Sequence, residues 1–388
     1  MNVKSGKQFV AKLHLYIGLW LGGVFVVLGL TGTAIAWLPE LDAALNPALL
    51  QSVPRYAGAP FQVTSRTVQE VVERLSGDTA YGRPAQLNTP ADGHDVYVAY
   101  YRVPPAAGAG PATQTRLRQV MLDADTLQVK GEREWGSYGL SRPLLMPTLF
   151  HLHRYLLSGE VGKILTGITG VALLALAFSG LVLWWPRPNW QALRRALRIS
   201  YGGSWPRLHY SLHKTSGFFA APVLAVLAFS GIYMNLPQMV LPVVGMLAEL
   251  SPGDKVSNAA PGAHITPGAA MAAAQALYPN GRVSRIALPA QAGLPYEIRV
   301  RQPDEVAKGD GATRVTLDAV SGKLLRVRDP LLAPGGERFL GWQYPLHSGQ
   351  AFGAPGRAFI SVFGLLPLGF FLTGVLIWMK RRPAARKR

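Results

Sequence analysis

The residues best suited to chemistry in this 388-residue chain are its eight histidines: His14, His94, His151, His153, His209, His213, His264 and His347. There is no cysteine, which excludes disulfides, iron–sulfur clusters, thiolate zinc sites, covalent haem attachment and a thiol nucleophile. Four of the histidines stand in matching settings. His14 and His213 each follow a leucine, with a glycine four residues later (Gly18, Gly217) and a Thr/Ser-Gly step ending eighteen residues later (Gly32, Gly231). His153 and His347 also follow leucine, and matching glycines lie beyond them at Gly159 and Gly353, Gly162 and Gly356, and Gly180 and Gly374.

Histidines matched two by two suggest ligands. A neutral imidazole suits iron, and paired histidines across a helix bundle hold b-type haem. The expectation is two haem b groups, with His14 and His213 as the iron ligands of one and His153 and His347 of the other. His209, one helical turn before His213, and His151, two residues before His153, are the second choice. The glycines would thin the backbone beside a flat ring, and Lys12, Lys214, Arg154 and Arg357 are candidates for pairing with propionates. Zinc would lack its usual carboxylate or thiolate companions near these positions. A proton relay would need Asp or Glu within the apolar spans, which hold none. His94 and His264 read as surface residues, and no catalytic residue is assigned.

The elements that position these side chains follow from composition. Only 15% of residues are charged, yet 39 Lys and Arg against 21 Asp and Glu leave a net charge of +18, which points to nucleic acid or a membrane. Four apolar stretches are long enough to span a bilayer. The chain divides into a basic N-terminus (1–12), a first span (13–38) and an external segment (39–145). An outer histidine helix then leads into the second span (146–185), followed by a basic loop (186–208) and the third span (209–236). A second external segment (237–345), an outer histidine segment with the fourth span (346–379) and a basic tail (380–388) complete it. The three basic segments hold fourteen Lys and Arg and no Asp or Glu. Their position beside the spans removes the nucleic-acid reading. The positive-inside rule makes that face cytoplasmic, with both termini inside and the two long segments outside. Residues 34–36 resemble a signal-peptide cleavage site, but the apolar region is longer than a signal core and contains His14, so the segment reads as a retained span. If helical throughout, the 27 residues from His153 to Gly180 would cover about 40 Å, more than the roughly 30 Å of hydrocarbon. His153 and His347 therefore belong at the outer interface, or on helices that bend inward.

The order of features repeats at offsets of 199, 194 and 195 residues, the last relating Val120-Met121-Leu122-Asp123-Ala124 to Val315-Thr316-Leu317-Asp318-Ala319. The chain reads as a tandem duplication of one helix–domain–helix unit. Each external segment opens with a helix, capped by Thr64 in the first and by Thr266 with Pro267 in the second, and continues into strands. Strands are expected at Val96–Arg102, 118–123, Tyr296–Arg301 and 314–318, and loops at 104–111 and 305–311. The fold class is thus four transmembrane helices with two small α+β periplasmic domains.

The motifs LHLYIGLW…LTG, LHRYLLSGEVG…SGLVLWWPR and LHKTSGFF…SG resemble the PepSY-associated transmembrane family, and the external segments resemble PepSY domains, over essentially the whole chain. The four-span form resembles the FoxB-type siderophore reductases within it. That resemblance implies a di-haem protein of the bacterial inner membrane that reduces ferric siderophore at the periplasmic side and releases Fe(II). It carries the inner haem to His14 and His213 and the outer to His153 and His347. No GxGxxG follows a strand, so a separate donor is implied, quinol or a cytoplasmic flavoprotein. Trp135 and Trp342, with Arg133, Tyr138 and Tyr344, precede the outer histidines and are candidates for the chelate's seat; an interfacial aromatic belt competes for them. PepSY domains also accompany peptidase propeptides, so a non-enzymatic peptidase-binding or inhibitory membrane protein, or a haem-based sensor, is the alternative.

Overall fold

The structure is a computed structural model that describes residues 3–52, 62–104, 116–186, 188–201, 204–251, 256–257, 262–291 and 293–381. Along the chain come α1 (Val3–Ile35), α2 (Leu38–Leu45), α3 (Pro47–Leu50) and α4 (Ser65–Gly77), then β1 (Gln86–Asn88), β2 (Val96–Arg102), β3 (Leu117–Asp123) and β4 (Val129–Trp135). Next are α5 (Arg142–Tyr155), α6 (Gly159–Trp184), α7 (Trp190–Leu197), α8 (Trp205–Asn235), α9 (Pro237–Leu247) and α10 (Pro267–Leu277). Strands β5 (Arg282–Ala287), β6 (Tyr296–Arg301), β7 (Thr313–Leu317) and β8 (Leu324–Arg328) lead to α11 (Gly335–Gly341), α12 (Gln343–Ser348) and α13 (Gly353–Arg381). The chain forms two compact units, one of residues 1–37, 149–241 and 346–388 and one of residues 38–148 and 242–345.

The first unit is helical. Among the described residues, four helices are long and apolar enough to cross a membrane: Gly6–Ile35, Gly159–Trp184, Trp205–Asn235 and Gln350–Lys380. Helix α1 packs on α6 and α13, and α8 packs on the same two, so the four close into a ring. Between apolar helices in lipid the contact is made by close packing, which favours small residues. Gly29 of α1 faces Gly364 of α13 so closely that a Cβ on Gly29 would overlap the Gly364 carbonyl oxygen. Trp184, the last residue of α6, is buried and stacked on Phe218 at 3.7 Å.

Two reversals precede spans. Leu156 and Leu157 have φ of 46° and 55°, and Gly159 has φ of 57°, so α5 ends and α6 starts afresh. Gly349 and Gly353, with φ of 75° and 63°, do the same between α12 and α13. Glycine tolerates this left-handed region where other residues are strained. A Cβ on Gly162 would overlap the Tyr155 carbonyl oxygen, and one on Gly356 that of Gly349. These glycines make the reversals.

The second unit is one antiparallel sheet of eight strands in the order β4-β3-β2-β1-β5-β6-β7-β8, with α4 and α10 packed against it. Both expected caps are present: Thr64 Oγ1 accepts from the Thr67 N–H at 3.1 Å, and Thr266 Oγ1 from the Ala269 N–H at 3.2 Å. Val68, Val71, Val72 and Leu75 of α4 are buried, together with Ala270, Met271 and Ala274 of α10, over Leu87, Tyr97, Val120, Ile286, Ile298 and Val315. The expected strands form, β3 beginning one residue earlier and β7 shifted one residue toward the N-terminus. The two segments do not close separate sheets. β1 joins β5 through Gln86↔Ala287, Leu87↔Ile286 and Asn88↔Arg285, which covers what would otherwise be two open edges. The loop at 305–311 forms around Glu305, a buried carboxylate that accepts from the backbone N–H groups of Ala312 and Thr313. The loop at 104–111 lies outside the described residues beyond its first position.

Candidate functional site

A serine or threonine inside an apolar helix gives its hydroxyl hydrogen to a carbonyl one turn back, because no water is there to take it. Four helices of the ring each hold such a residue before a glycine. Thr31 bonds Val27 O at 2.6 Å, Ser179 bonds Leu176 O at 3.2 Å, Ser230 bonds Val226 O at 2.6 Å and Thr373 bonds Gly369 O at 2.7 Å. The hydroxyl's hydrogen is then committed, and only its oxygen lone pairs remain for another partner.

In every case that partner is the Nδ1 of a histidine from a different element. Ser179 of α6 meets His14 of α1 at 2.8 Å, and Thr373 of α13 meets His213 of α8 at 2.8 Å. Ser230 of α8 meets His347 of α12 at 2.8 Å, and Thr31 of α1 meets His153 of α5 at 3.2 Å. His153 Nδ1 is also 2.9 Å from Leu28 O, and His347 Nδ1 is 3.1 Å from Leu227 O. A carbonyl cannot donate, so Nδ1 must carry the proton and Nε2 keeps its lone pair. That is the tautomer a metal ligand needs, with its second nitrogen oriented by a neighbour. Burial pushes His153 and His347 down to about 4, and the nearby His153 adds to the effect on His347; both rings are held neutral.

The glycine after each hydroxyl makes room for the ring. A Cβ would lie 2.9 Å from His153 Cε1 at Gly32, 3.4 Å from His14 Cε1 at Gly180, 3.6 Å from His347 Cε1 at Gly231 and 3.9 Å from His213 Cε1 at Gly374. Among the described residues, a Cβ at Gly18 would meet nothing within 4 Å and one at Gly217 the Phe370 ring at 3.9 Å.

The four rings stand in two pairs. His14 and His213 have centroids 6.4 Å apart with planes at 81°, and His153 and His347 have centroids 6.2 Å apart with planes at 68°. Metal–imidazole bonds are about 2.0–2.1 Å and a ring centroid lies about 1.1 Å beyond its nitrogen, so two imidazoles on opposite sides of one ion have centroids about 6.2–6.4 Å apart. The spacing fits one ion per pair. Among the described residues, no group of three or more His, Asp or Glu side chains is placed to hold a metal ion. Two protein nitrogens suit an ion whose other positions come from a macrocycle, as in haem. His14 and Thr31 on α1, like His213 and Ser230 on α8, are seventeen residues apart, or about 25 Å along a helix. The pairs thus lie within one hydrocarbon thickness of each other, because His153 and His347 sit on separate helices that fold back beside the spans.

The second-choice histidines lie outside both pairs. His151 is buried, stacked on Tyr155 with centroids 5.6 Å apart. His209 lies edge-on to Trp205 at 4.3 Å, and both its ring nitrogens are buried without a hydrogen-bond partner among the described residues. Of the cations expected to meet propionates, Arg357 donates from Nε to Ala36 O at 2.7 Å and lies over Trp37. Arg154 Nε is buried beside Tyr155 without a hydrogen-bond partner among the described residues. Lys12 is exposed and Lys214 half-buried.

In the second unit, Arg133 is not free to meet a substrate. Its side chain is 6% exposed, pairs with Asp42 at 2.8 Å and donates to Gln119 Oε1 and Pro143 O. Trp135 ends β4 with Arg133 near its ring, while Trp342, Tyr344 and Tyr138 are exposed. Sequence reasoning missed Thr31, Ser179, Ser230 and Thr373 as site residues; their signal was the Ser/Thr-Gly step, read there only as a marker of repetition.

No curated protein matches the chain significantly. The family profile for the PepSY-associated TM region matches residues 11–381, and the chain belongs to that family.

Proposed function

We propose that this is a membrane electron-transfer protein in which His14 and His213 hold one haem b and His153 and His347 a second, and that it reduces ferric iron in a siderophore. The observation that carries the proposal is the repeated geometry: two facing imidazole pairs, each ring fixed by its Nδ1–H on a Ser/Thr-Gly step. When bound, each haem would supply one-electron chemistry between Fe(III) and Fe(II). The chain's own residues set the protonation and aim of each ligand, and the surrounding apolar helices exclude water. Reduction adds one electron to the chelated iron, and hard oxygen donors then hold Fe(II) less firmly than Fe(III). The electron comes from a separate donor, quinol or a cytoplasmic flavoprotein.

The basic segments at 1–12, 186–208 and 380–388 support an inner-membrane orientation with both termini cytoplasmic and the sheet segments periplasmic. The matched histidine–hydroxyl pairs support a tandem duplication, with the two sheet-forming segments as its external halves.

The test is the visible spectrum of the full-length protein purified from cells supplied with haem. A Soret band with sharp α and β bands on reduction is expected, and His14→Ala or His347→Ala should each remove about one haem. Reduced protein should be reoxidised by ferric siderophore and not by the iron-free form. A colourless protein would sink the proposal.

A further inference from the structure

On the face of the sheet opposite α4 and α10, strands β5–β8 are rich in arginine. Arg285 of β5 is registered with Arg299 of β6, Arg299 with Arg314 of β7, and Arg314 with Arg328 of β8. Strand alternation sends Ile286, Ile298 and Val315 into the core and leaves this row on the other side. Neighbouring strands are about 4.7–4.9 Å apart, so four arginines extend over roughly 14 Å. Arg282 is registered with Arg301 in a parallel row. Like charges directly opposite each other on adjacent strands are unfavourable, and here they follow one another across four strands. Acids lie near these rows: Asp95 and Asp92 act on Arg282. Glu297 is exposed, and Asp310 pairs with Arg285. Burial, and then Arg314 and Arg285, hold the Arg299 guanidinium below its usual range. Beside the row is a cavity of about 380 Å³ lined by Gln86, Tyr100, Arg102, Leu117, Arg285 and Leu288. That lies within the roughly 300–1,000 Å³ of small-ligand sites. Arg285 Nε is buried without a hydrogen-bond partner among the described residues.

A planar guanidinium takes a carboxylate through two parallel hydrogen bonds. A row of such forks beside a cavity fits a compact molecule with several carboxylates better than a flat bilayer, which would not enter the cavity. We propose that this arginine face binds a small polycarboxylate, and that the iron chelate acted on is such an anion rather than a neutral or cationic one. The second half rests on the reductase proposal; the first does not.

The experiment uses the full-length protein in nanodiscs of zwitterionic lipid, dialysed against radiolabelled ferric citrate or the ferric complex of a cationic trihydroxamate. Ferric citrate is expected to bind saturably and the cationic complex not to. The R299Q/R314Q double variant should bind at least tenfold more weakly with an unchanged circular dichroism spectrum, R299K/R314K should be intermediate, and R66Q, at an arginine exposed on α4, should bind as the parent does. Unchanged binding by R299Q/R314Q, or equal binding of the two chelates, overturns the proposal. So does loss of binding in nanodiscs of anionic lipid, since headgroups would then own the face. If ferric citrate binds with this arginine dependence but fails to reoxidise reduced, haem-loaded protein, the binding site stands and the chelate assignment falls.

Discussion

Thr373 Oγ1 on α13 lies 2.8 Å from His213 Nδ1 on α8, and the contact joins two spans through one hydrogen bond. Ser179 on α6 holds His14 on α1 in the same way. Because each hydroxyl has already donated to its own helix, neither can serve the ring except as acceptor. Replacing Thr373 with Val, or Ser179 with Ala, removes that acceptor and leaves the ligand in place. Partners that orient a ligand are worth about 10–100-fold in metal affinity. T373V and S179A should therefore still bind two haems at saturating haem and lose one at limiting haem, by titration of the reduced spectrum. Full occupancy with unshifted affinity would show that the hydroxyls do not orient the rings.

The glycines after the hydroxyls separate a tight contact from a loose one. At Gly32 a Cβ would sit 2.9 Å from His153 Cε1, closer than a carbon–carbon contact allows, while at Gly374 the distance to His213 Cε1 is 3.9 Å, an ordinary contact. Gly32→Ala should displace His153 and reduce haem content by about one equivalent. Gly374→Ala should leave it unchanged. Pyridine haemochrome content of the two purified variants checks this, and equal content in both would contradict the assignment of His153.

The four spans were legible because twenty or so apolar residues have few other uses, and the histidines because ionisable groups near such spans are uncommon. Thr64 and Thr266 were legible as caps because a short hydroxyl residue before an apolar helical pattern has a local role. What was not legible depends on partners distant in sequence. Thr31 is 122 residues from His153 and Thr373 is 160 from His213, so the Ser/Thr-Gly steps were visible without their meaning. β1 has only three residues, too few for any pattern, and its pairing with β5 decides that the sheet is continuous. The arginine row likewise exists only once the register of four strands is known.

Close packing of α1 on α13 yields a third prediction. Gly29 and Gly364 meet backbone to backbone, and Thr33 Oγ1, which bonds Ser361 O at 3.1 Å, fills the space beside Gly364. A side chain at either glycine must push the helices apart. In a bilayer, close packing between apolar helices is a main source of their association. Gly29→Leu should lower the amount of folded protein recovered from membranes and its thermal stability in detergent. Gly23→Leu, where a Cβ meets nothing within 4 Å among the described residues, should change neither. Fluorescence-detected size-exclusion profiles after heating make the comparison, and similar profiles for the two would mean this contact does not hold the ring together.

Arg133 precedes the outer histidines in sequence, a position that suggested a role in seating a chelate. Its side chain and that of Asp42 are 6% and 4% exposed and lie 2.8 Å apart. Asp42 also accepts from Asn46 Nδ2 at 3.0 Å, and Arg133 donates to Gln119 Oε1 at 2.7 Å. Removing one member of such a pair strands a charge out of water and costs about 3–5 kcal/mol, whereas replacing both with apolar residues of similar size is often close to neutral. Asp42→Leu and Arg133→Met should each destabilise the sheet unit by about that amount. The double variant should be more stable than either single one, though below the parent because Asn46 and Gln119 lose partners. Thermal unfolding of the four proteins, followed by tryptophan fluorescence, measures the coupling. If Arg133→Met left stability intact and weakened only chelate binding, the side chain would belong to the substrate after all, and the buried pair would not be what holds it.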